Sequence, residues 1–142
     1  MTRRTRRISS TPRAARQALP GWNRRVARIA ACLVPLGPIL AGVFPDYRIP
    51  ALHVTFIGGF GLLAFAVATH VTAAHLDLPD LRDGRSPVVA IVALAILTAM
   101  VGRVIADATD TYFEHLAAAG GVWIAGTTVW LARLAPHWLA RE

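Results

Sequence analysis

Four stretches of this chain are each long and apolar enough to cross a lipid bilayer: residues 26–44, 49–74, 88–106 and 116–134. A hydrocarbon core about 30 Å thick takes about 20 apolar residues in helical form. Lipid offers backbone groups no hydrogen-bond partner, so each stretch must satisfy its own N–H and C=O groups as a helix. The expected fold is therefore all-α, an integral membrane bundle of four transmembrane helices. Only 16% of the 142 residues are charged, and they fall almost entirely between the apolar runs. The longest polar piece precedes Val26 and has too few apolar residues to form a core of its own. The domain reading is an arginine-rich tail, residues 1–24, expected to be disordered, followed by one membrane domain, residues 25–138.

All fifteen basic residues are arginine, a composition typical of GC-rich bacterial genomes. Arg3, Arg4, Arg6, Arg7, Arg13, Arg16, Arg24, Arg25 and Arg28 precede the first acidic residue, Asp46. Basic residues flanking a span stay in the cytoplasm, which places the N-terminus inside. The later loops agree: 47–50 holds Arg48 alone, 75–87 holds Arg82 and Arg85, 107–115 holds none, and Arg141 follows the last span. Both termini are thus expected in the cytoplasm of a bacterium, with the chain in the inner membrane. The tail reads as an anchor for anionic lipid rather than as a transit peptide or a nucleic-acid-binding arm. The first span is too long, and too broken by Pro35 and Pro38, for a signal peptide.

Those prolines free carbonyls that a neighbouring helix must re-satisfy, and a kink facing protein is expected there. Gly58, Gly59 and Gly61 lie at mid-membrane depth in the second span, where missing side chains allow close approach of another helix or of a flat cofactor. Gly120, Gly121 and Gly126 give the fourth span a similar small-residue face. Trp22, Trp130 and Trp138 mark an inner aromatic belt, and Tyr47 and Tyr112 an outer one. The single cysteine, Cys32, reads as core packing.

Ionisable groups within the membrane are costly when unpaired, so they are candidate sites. His53 and His70 are separated by 17 residues, about 25 Å along a helix, and cannot share a ligand. His53, near the outer start of span two, and His115, at the outer start of span four, are the pair of imidazoles on different helices that topology places in one layer. Two such imidazoles are what bis-histidine haem b or a low-coordinate copper ion requires. Arg103 lies in that layer, where a haem propionate and Asp107 are its two candidate partners. No CxxC, nucleotide loop or Ser/His/Asp arrangement is present, so no catalytic motif is evident.

The run FPDYRIPALHVTFIGGFGLLAFAVATHVTAAH, residues 44–75, resembles part of the NnrS family of haem- and copper-containing bacterial membrane proteins linked to nitric oxide metabolism. The run GRVIADATDTYFEHLAAAGGVWIAGTTVWLARLAPHW, residues 102–138, is similar to that family's closing pair of helices. Members are typically much longer, so the resemblance implies that this chain corresponds to a C-terminal third. Where the family usually reads Thr-Arg, this chain has Thr69 and His70. By resemblance, His53 and His75 match motif histidines and His115 sits where the closing segment carries one. Haem b or copper as cofactor, with a role in nitric oxide metabolism or the response to nitrosative stress, follows from the same resemblance. The alternatives are a cofactor-free assembly subunit and a small transporter component. Expected partners are the lipid bilayer, nitric oxide, and further copies or other membrane subunits, with no nucleic acid.

Overall fold

The computed structural model describes residues 21–82 and 85–139; most of the arginine-rich tail lies outside the described residues. The elements are α1 (Trp22–Val43), a 3₁₀ turn (Pro45–Tyr47), α2 (Arg48–His53), a π-helical segment (Val54–Gly61), α3 (Leu62–His75), α4 (Pro79–Arg82), α5 (Pro87–Ala106) and α6 (Tyr112–Leu139). The turn, α2, the π segment and α3 run on as one span, Pro45–His75, so four helices are long and apolar enough to cross a membrane. The first, second and fourth outrun their apolar stretches by a few residues at one end or both, whereas α5 adds only Pro87 to the third. Hydropathy marks the part that needs lipid, whereas helical hydrogen bonding continues into the interface.

One end of the bundle joins the start of α1 to the turn after α3, where Asn23 Nδ2 donates to the Leu81 carbonyl at 2.7 Å. That turn closes α3 with a left-handed residue, Asp77 (φ 53°), letting the Leu78 N–H reach the Ala73 carbonyl at 2.9 Å. This 6→1 bond is a C-terminal cap in which aspartate stands where glycine is usual. The core runs through Val26 and Ala30 of α1, Leu62, Ala66 and Ala73 of α3, Val89, Val92, Ala93 and Ile96 of α5, and Leu134 of α6. α1 packs on the whole second span, α5 packs on α6 and the π segment, and α6 packs chiefly along α5.

The π segment was not legible in sequence. It coincides with the glycine run, and the packing explains why those residues are small. An added Cβ on Gly59 would stand 2.8 Å from Val34 Cγ2, and one on Gly58 would meet the Met100 sulfur and, at 3.0 Å, Leu33 Cδ1. Protein atoms therefore fill this face, the first of the two uses expected of the glycines. Pro38 has no N–H to offer Val34, four residues earlier, and Thr55 Oγ1 donates to that Val34 carbonyl at 3.0 Å. Thr55→Val keeps the shape but leaves the carbonyl unmet. We expect it to lower stability by about 1–3 kcal/mol in a detergent denaturation series, with retained helicity.

Cys32 corrects the expectation of core packing, since it is exposed on α1.

Candidate functional site

At the end of the bundle opposite Asn23 and Leu81, α2, the close of α5 and the start of α6 bring the ionisable residues together. Arg103, in the last turn of α5, donates from Nη1 to Asp107 Oδ1 at 2.7 Å and from Nη2 to the Tyr112 hydroxyl at 3.1 Å. Its guanidinium also stacks over the Tyr112 ring at 5.1 Å. Side-chain exposure is 13% for Arg103 and 16% for Asp107, so the pair is largely withdrawn from solvent. Arg103 therefore engages Asp107, one of its two candidate partners. Tyr112 is half-buried in this cluster rather than being only a belt residue.

Asp107 Oδ2 is buried with no hydrogen-bond partner among the described residues. The same residue lines a cavity of about 660 Å³ with Asp46, Tyr47 and Arg48, between the 3₁₀ turn and the end of α5. Arg103 also lines a separate apolar recess of about 260 Å³ against Ile57, Gly120 and Trp123.

His53 is half-buried near the end of α2, and its Nδ1 lies 2.8 Å from the Ile49 carbonyl of its own helix. That acceptor selects the tautomer with hydrogen on Nδ1, leaving the Nε2 lone pair unused, as metal-binding imidazoles require. His115 is half-buried in the first turns of α6. α5 is the helix that packs on both α2 and α6, so it stands between the elements carrying these two imidazoles. His75 is exposed at the other end, in the last turn of α3, and His70 is exposed on the same helix. Arg133 Nη1 donates to His137 Nε2 at 2.8 Å, since a guanidinium has no acceptor to offer. Among the described residues, no three His, Cys, Asp or Glu side chains gather in a way that could hold a metal ion.

Four apolar helices joined by short polar turns, with a withdrawn ion pair at one end, define a multi-pass membrane protein in a lipid bilayer. A family model described as NnrS protein matches residues 22–142. The chain belongs to the NnrS family. Neither the curated proteins nor the solved structures contain a match.

Proposed function

We propose that this chain serves nitric oxide metabolism or the response to nitrosative stress by holding haem b or copper in the membrane. The observation that carries the reading is the family match, which spans all four membrane helices. His53 and His115 are the proposed ligands, with His75 a further motif histidine and Arg103 the residue that would face a haem propionate. The His53 ring supports the donor chemistry, because its hydrogen bond to Ile49 leaves Nε2 as the coordinating nitrogen. A bound metal would supply an open position for a diatomic gas or a path for an electron. The chain's own part is to orient the imidazoles, as the Ile49 carbonyl does for His53. The proposed setting is the bacterial inner membrane with both termini in the cytoplasm.

The filled glycine face favours a second reading, a cofactor-free assembly subunit whose glycines serve helix contact alone. Absorption and metal content of the chain purified in mild detergent separate the two. The expected result is a Soret band or stoichiometric copper that His53→Ala or His115→Ala reduces at least tenfold. A colourless, metal-free protein would leave the assembly role as the account.

A further inference from the structure

We draw no further inference here: the strongest candidate, the open apolar recess between the second span, α5 and α6 walled by Phe65, Trp123 and Trp130, carries nothing because no feature of the structure shows what occupies it.

Discussion

Gly37→Ala should destabilise this protein by about 3 kcal/mol or more, although the same change on an open helix surface stabilises a helix by about 1 kcal/mol. At Gly37 α1 approaches the second span closely. A methyl group there would meet the Thr55 hydroxyl and stand 2.6 Å from the Ala51 carbonyl oxygen, which is backbone and cannot rotate away. The clash also pushes Thr55 off the Val34 carbonyl it satisfies, so overpacking and a lost hydrogen bond act together. Gly120→Ala and Gly121→Ala provide the opposite case, because an added Cβ meets nothing within 4 Å at either position. Thermal unfolding in detergent, followed by gel filtration, should show a large loss for Gly37→Ala and no loss for the other two. Equal behaviour of all three would mean that α1 does not approach the second span as described.

Asp107→Leu should cost about 3–5 kcal/mol, the usual consequence of leaving one partner of a buried ion pair alone. Arg103 would keep only the Tyr112 hydroxyl and ring, with most of its guanidinium withdrawn from water. The double variant Arg103→Met with Asp107→Leu removes both charges and should recover most of the loss, since an apolar pair of similar volume suits this depth. Chemical denaturation of the four proteins of that cycle measures the coupling directly. If Asp107→Leu alone proves neutral, the pair is solvated and contributes no more than a surface salt bridge.

The four spans were legible because lipid imposes one requirement on every residue of a crossing segment, and composition alone meets or fails it. Their ends were less so. The additional helical turns run through Asn23, Arg24 and Arg25 at the start of α1 and through Pro136 and His137 near the end of α6, residues that an apolar stretch does not include. The Arg103–Asp107 pair was readable from its spacing of one helical turn, whereas the engagement of Tyr112 required knowing how α6 returns along α5. The π segment was hidden because a one-residue widening of the helix leaves no compositional trace beyond glycines, which fit ordinary close packing equally well. Cys32 was misplaced because apolar composition all round a helix does not say which face meets lipid and which meets protein. For the candidate site, sequence could place His53 and His115 at similar depth, but the interposed position of α5 depends on which helices neighbour one another.

The hydroxyl that Thr55 lends to Val34 has a mechanical meaning. A helix containing proline is ordinarily a place where a bundle can bend, yet here the missing rung is supplied from the adjacent span, a few residues from the glycine contacts at Gly37 and Gly59. Rotation or sliding of α1 would break that bond and drive side chains into backbone at the same time. α1 and the span beside it are thus locked to one another, whereas α6 is held chiefly by α5, with Trp123 and Trp130 reaching the second span.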